Sequence, residues 1–219
     1  MPLTDSEALF EEFCAINGIR FERIPSGSSR TPDYLIQPNG VRIACEVKQI
    51  ELNREEKEAL EAALRGEATI TGGTPGARVR SAINDAVPQL RKWTGGEFPG
   101  LLVLSEEHVI PRHTDDYNVR VAMYGLDTIV LGVPRDPRVA PFLRERKSGP
   151  KRKVTEEHNT SLSAVAVLRK HRDGSLHCRV FHNAHAKSPL DRTLLANDRI
   201  RHFRLREKEP GQFDEWIEF

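Results

Sequence analysis

No stretch of this chain stays apolar for anything near the roughly 18 residues that a bilayer-spanning helix needs, so no membrane segment is expected. Cysteine is scarce: Cys14, Cys45 and Cys178 are odd in number, far apart and without a CxxC pair. That pattern indicates neither a disulfide framework nor a zinc ribbon, and buried reduced thiols are the expectation. An excess charge of one sign is also missing, with 33 lysines and arginines against 32 aspartates and glutamates. There is no internal repeat and no low-complexity segment. The opening MPLTDSEALFEEF carries acids where a signal peptide needs a basic start and an apolar stretch. A cytoplasmic protein is expected.

What is present suits one generous domain over residues 1–219, with 38% apolar and 30% charged residues. Charge is unevenly spread. Residues 51–67 carry six acids against three bases, and 144–153 carry six bases against one acid. Such a basic run, read here as an exposed loop over 144–160, is commonly a solvated surface. Joined with RVR at 78–80, RK at 91–92 and RIRHFRLR at 199–206, it points toward a polyanion partner.

Periodicity supplies the elements. Thr4 followed by Glu7 matches a capping box, and Leu9, Phe10, Phe13, Cys14 and Ile16 form a helical apolar stripe that Gly18 ends. IRFERI (19–24) alternates as a strand and PSGSSRT is a loop. DYLIQP and VRIACEVKQI read as two strands joined by Asn39-Gly40, a strong hairpin signal. Helices are expected at 54–66 and at 77–93, the latter kinked by Pro88. Buried strands are expected at 100–105 and 127–134, and two further strands turn at HRDGS (171–175). The whole reads as an α/β domain around a mixed sheet.

The hairpin holds an anomaly. A turn centred on Asn39-Gly40 pairs Ile36 with Ile43, and the same register sets Asp33 opposite Glu46. Opposed residues share a face with Cβ atoms roughly 4.5–5.5 Å apart, and period two adds Lys48, about 7 Å along the strand. Val41, Ile43, Cys45 and Val47 point the other way, toward a core. Opposed carboxylates repel, so they need a raised pKa or a cation. A divalent metal such as Mg²⁺, held by Asp33, Glu46 and a backbone carbonyl, resolves the conflict; so does a surface cluster bridged by Lys48. On the residues alone both remain open.

Pro32-Asp33 followed by Glu46-Val47-Lys48 resembles the PD-(D/E)xK motif of the restriction-endonuclease-like nucleases. The order helix, strand, hairpin over residues 4–50 is similar to that of archaeal-type Holliday-junction resolvases, with a Ser/Gly loop before the Pro-Asp. The resemblance implies an αβββαβ core with a mixed central sheet flanked by helices. It implies a nuclease that cleaves phosphodiester bonds of DNA with Mg²⁺ (or Mn²⁺), as an endonuclease rather than an exonuclease, in repair, restriction or phage defence. A homodimer is compatible with it. Asp33, Glu46 and the carbonyl of Val47 would hold metal, and Lys48 would position or polarise the attacking water. Glu7 would be the helix acid, although closing the capping box explains it equally well. Arg80 and Gln89 on the following helix would approach substrate, or would be ordinary exposed helix polarity. Ser28, with Ser26 and Ser29, would donate to phosphate from the loop. Lys151 and Arg152 would contact it from the basic run.

Two alternatives stand beside this. One is a nucleic-acid-binding module of the same fold without catalysis. The other is an HNH-like or zinc site built on His182 and His185 with His158, which no cysteine pair supports.

Overall fold

Helix α1 (Asp5–Ile16) forms where the capping box predicts it: the Thr4 side chain accepts from the Glu7 N–H, and the Glu7 carboxylate accepts from the Thr4 N–H. Gly18, at φ +64, turns the chain out of the helix in the left-handed region that glycine adopts without strain. The computed structural model describes residues 3–25, 31–70, 72–107, 112–148, 151–206 and 214–219, with residues 145–148 described by their backbone alone. After α1 come β1 (Phe21–Arg23), β2 (Tyr34–Ile36), β3 (Ile43–Gln49), α2 (Arg54–Leu64), α3 (Ala77–Thr94), β4 (Gly100–Ser105) and α4 (Asp116–Tyr124). They are followed by β5 (Asp127–Gly132), β6 (Phe142–Ser148), β7 (Ala164–Lys170), β8 (Leu176–His182), β9 (Ile200–Arg206) and β10 (Glu215–Glu218).

Eight of these strands make a mixed sheet in the order β1-β2-β3-β4-β7-β8-β9-β10. The β1-β2-β3 meander is antiparallel, while β3, β4 and β7 run parallel to one another. β8 returns antiparallel to β7 and pairs parallel with β9, and β10 closes the far edge antiparallel. Two cores sandwich the sheet. On one face α1 (Phe10, Phe13, Cys14) packs on Tyr34, Ile36, Ile43, Cys45 and Val47. On the other, α3 and α4 (Val79, Ile83, Leu90, Val119, Met123) cover Ala44, Leu102, Leu104, Val165 and Val167. All three cysteines are free and buried, and burial pushes the thiols of Cys14 and Cys178 up to about 12.

The expected hairpin register is present: Ile36 pairs with Ile43 and Tyr34 with Cys45. The connection is longer than a two-residue turn, since a 3₁₀ turn at Pro38–Gly40 carries Asn39 at φ 50 and Gly40 at φ 80. Val41 consequently stands 39% exposed in the connection instead of joining Ile43 in the core, and Ile16 is likewise exposed at the end of α1. Helix α3 runs through Pro88 to Thr94.

Two expectations are corrected. The segment 127–134 is not a buried strand. Among the described residues β5 pairs only with β6, as a separate ribbon, leaving Ile129 53% and Leu131 58% exposed. A short apolar run cannot by itself show whether its faces will be covered. The basic run 144–160 is not a continuous exposed loop either. It begins inside β6, and it returns along α4, where the N–H of Val154 donates to the Met123 carbonyl and the Val154 side chain is 1% exposed. No helix among the described residues is long and apolar enough to cross a membrane.

Gly100 opens β4 where the sheet is most crowded: an added Cβ would lie 2.5 Å from the Ser161 carbonyl oxygen. The obstacle is backbone, so Gly100→Ala should cost about 2–3 kcal/mol of stability, read as a lower urea midpoint. An unchanged midpoint would show that the 161 backbone yields freely.

Candidate active site

Strand alternation sends Ala44, Glu46 and Lys48 to the α3 face of β3, while Ile43, Cys45 and Val47 go to the α1 face. Glu46 is therefore a carboxylate in a core position, with its side chain 1% exposed. Lys48 Nζ lies 2.6 Å from Glu46 Oε1, and the same oxygen accepts from Gln89 Nε2 at 2.7 Å. Glu46 Oε2 is buried without a hydrogen-bond partner among the described residues. Burial first, and the charge of Asp33 second, push the Glu46 carboxyl up to about 7, against the opposing effects of Lys48 and Gln89.

Asp33 sits one residue before β2. Its carbonyl accepts from Ile24 N–H at 2.9 Å and its Oδ2 accepts from Val47 N–H at 2.8 Å. Val47 thus meets the site through its N–H, while its side chain lies in the opposite core. Burial raises Asp33 above the usual carboxylate range; the Val47 bond and Lys48 oppose this, and Glu7 reinforces it. Lys48 is held charged: burial works to lower its pKa, but the bond to Glu46 and the charges of Glu46, Asp33 and Asp85 raise it overall.

Glu7 closes the capping box as the sequence predicts, and its charge also reaches Asp33. Its Oε2 closes the cap on the Thr4 N–H at 2.7 Å, its Oε1 faces Arg23 Nη2 at 3.4 Å, and its charge is felt at Asp33. Helical spacing alone sets Glu12 beside the apolar stripe and Glu11 more nearly away from it; the structure reverses the two. Glu11 accepts the Tyr34 hydroxyl at 2.9 Å over β2, whereas exposed Glu12 pairs with Lys170. The stripe's phase is set by Phe10, Phe13 and Cys14, and this rotates Glu11 inward.

Helix α3 brings Gln89 to Glu46, but it does not bring Arg80. Arg80 is 6% exposed and donates to the Val121 carbonyl of α4 at 3.5 Å. Its phase matches that of Val79, Ile83 and Leu90, which are in the core. The residues that the sequence reading missed are Ser81 and Asp85, which with Lys48 and Arg78 of the RVR run line a cleft of about 310 Å³. A polar stripe at 78, 81, 85 and 89 was the available signal, because such spacings share one helix face. Lys151 and Arg152 are exposed beside the return to α4, away from these contacts. Ser26, Ser28 and Ser29 lie outside the described residues.

The histidines do not assemble. His182 Nε2 lies 2.8 Å from His202 Nδ1, and burial followed by the His202 charge lowers His182 to about 4. His185 stands near Tyr124, with ring centroids 6.3 Å apart, and His158 closes a turn on Thr155. Among the described residues no group of three or more His, Cys, Asp and Glu is gathered for a metal. Asp33 and Glu46 are accordingly a pair. A carboxylate pair with one free buried oxygen does fit the way Mg²⁺ is held, through one or two carboxylates plus waters and substrate phosphates.

No protein-family model matches the chain, and neither a curated protein nor a solved structure matches it.

The Glu46 carboxyl sets a stability profile. Its folded pKa of about 7 lies above the ordinary 4.5, so the folded state binds the extra proton between these values. Metal-free stability should then fall as pH rises from about 4.5 to 7, by roughly 2–3 kcal/mol. Glu46→Gln keeps the shape and removes the titration, so its denaturation midpoint should change by less than half as much across that window. Parallel profiles for the two proteins would place the proton elsewhere.

Proposed function

We propose that this protein is a metal-dependent nuclease that hydrolyses phosphodiester bonds of DNA, built on a restriction-endonuclease-like core. One observation carries the reading: a buried carboxylate, Glu46, keeps an oxygen unpartnered among the described residues, beside a second carboxylate and a charged lysine. The element order supports it, since α1, β1, β2, β3, α3 and the parallel β4 follow the αβββαβ pattern with α2 inserted.

Asp33 and Glu46 would hold a divalent cation, which when bound lowers the pKa of a water and neutralises charge on the scissile phosphate. The protein's own groups do the positioning. Val47 N–H fixes the Asp33 carboxylate and Gln89 fixes that of Glu46, so neither has to reorganise when substrate arrives. Lys48 remains protonated at neutral pH and is 34% exposed toward the cleft. It serves as a fixed positive donor to a non-bridging phosphate oxygen and not as a base. Glu7 adds negative potential behind Asp33 and strengthens the preference for a cation.

The test pairs cleavage with cation binding. Linear, nicked and branched DNA and RNA are incubated with Mg²⁺ or Mn²⁺, and thermal melts are recorded with and without the metal. Asp33→Asn and Lys48→Ala should each lose at least about 100-fold in cleavage rate. Mg²⁺ should raise the melting temperature of wild type but not of Asp33→Asn. Glu7→Gln, which can still close the capping box, should impair cleavage more than Glu11→Gln. No cleavage by wild type together with a metal-insensitive melt would leave a nucleic-acid-binding module of this shape.

A further inference from the structure

A second charged feature lies on the same sheet face as Glu46 and Lys48. The ladders set Lys48, Leu104, Val167, Arg179 and Arg201 side by side across β3, β4, β7, β8 and β9. Neighbouring strands are about 4.8 Å apart, so Arg179 stands about 14 Å and Arg201 about 19 Å from Lys48. A cleft of about 770 Å³ opens there, at the ends of β4 and β7 where Lys48 also emerges.

Seven lysines and arginines line it. Three are paired: Arg179 with Asp116, Lys170 with Glu12 and Arg201 with Glu218. Arg112, Arg169, Arg172 and Arg199 have no carboxylate partner among the described residues. Burial, and next the charge of Arg112, hold the Arg169 guanidinium below its usual pKa, and its Nη2 donates to the Thr114 carbonyl and hydroxyl at 2.9 Å. The charges of Glu106 and Asp115 offset part of this at Arg169, but no rim acid forms an ion pair with these four arginines among the described residues. Glu106 is taken by the Thr114 hydroxyl and the N–H groups of 113 and 114, and Asp173 by Ser175. Unpaired cations that repel one another define a site that an anion relaxes.

A further cleft, of about 590 Å³, adjoins the one beside Lys48. The two share Arg78 and Ser81; the further one reaches His113, and Arg112, the residue before it, lines the arginine cleft. From the row of side chains and these neighbouring clefts we infer that the arginine cleft is a clamp for the sugar-phosphate backbone of the nucleic-acid strand whose bond is presented to Glu46 and Lys48. The inference rests on the nuclease reading of that pair. A single strand rises about 3.4 Å per phosphate, so the separation corresponds to roughly four to six nucleotides. The clamp is built on β7, β8 and β9, outside the αβββαβ portion, and so sets how far from a bound stretch the cut falls.

The test uses the full chain in EDTA, where binding is blind to the cation site. Fluorescence anisotropy of a labelled DNA oligonucleotide, single-stranded and duplex, is followed over a salt series. Arg112, Arg172 and Arg199 are exposed and unpaired, so the triple variant R112Q/R172Q/R199Q should keep its melting temperature. It should bind at least about tenfold more weakly, with the log–log salt slope reduced by about 2 to 3. The control R20Q/R42Q/R138Q removes the same charge at exposed positions outside this cleft and should bind as wild type. Equal weakening in both triples would assign the effect to net charge and overturn the clamp, as would wild-type affinity in the first. Inorganic tripolyphosphate separates a small-anion pocket: variants that lose it but keep oligonucleotide affinity would overturn the backbone assignment. Lost oligonucleotide binding in a protein that never cleaves would keep the clamp and reject only the hydrolase reading.

Discussion

The site depends on a carboxylate that water cannot reach. Glu46 is 1% exposed, yet among the described residues only one of its oxygens is engaged, by Lys48 and Gln89. Breaking or leaving incomplete a buried charge pair is costly, and proteins that use such pairs for structure satisfy the remaining lone pairs. The same molecule supplies the contrast. Arg120 and Asp127 are also largely buried, and there the guanidinium takes both carboxylate oxygens. Glu46 lacks such a fork, and its pKa of about 7 records the shortfall. Perturbed groups of this kind concentrate where chemistry is done.

Topology decides where that strain is placed. Because β3, β4 and β7 run parallel, their carboxyl ends lie together, and residues at and beyond those ends line the clefts of both charged regions. Ligands of open parallel sheets gather at such ends. The antiparallel meander on one side delivers Asp33 to the acidic region, and the return of β8 and β9 on the other delivers Arg179 and Arg201. Helix α3 lies over the acidic half with Gln89 and Asp85 directed at it. Helix α4 begins at Asp116, which tethers Arg179.

Much of the acidic half was legible in the sequence. Period-two alternation and the centre of the Asn39-Gly40 turn are enough to specify that Tyr34 meets Cys45, and with it the approach of Asp33 to β3. The capping box of α1 was equally local. The rest depended on partners remote in sequence. Whether Arg80 faced substrate or core turned on α4, whose nine residues were not recognised as a helix. The strand at 127–132 carries a core-like composition, but its only ladder partner among the described residues is β6, so tertiary context overrode propensity. RIRHFRLR reads as a basic run, and only the ladder to β8 shows that Ile200, His202 and Phe203 are buried while Arg201 remains on the rim.

A near-neutral composition therefore conceals a separation of charge along one face. At one end the charges of Asp33, Glu46 and Asp85 act on the Lys48 ammonium group, and at the other four guanidinium groups lack carboxylate partners among the described residues. Each end is unfavourable alone, and neither can relieve the other across roughly 14 Å because screening by salt acts within about 8–10 Å. On the proposed reading, a polyanion spanning the two ends would neutralise the arginine end while carrying a phosphate to the acidic end. There its charge is tolerable only if a cation accompanies it. On the same reading, the two ends impose an order. The strand can be held by the arginines without metal, but it can be accepted at Glu46 only with it, so binding and reaction are separable by the same electrostatics that makes the two ends costly when empty.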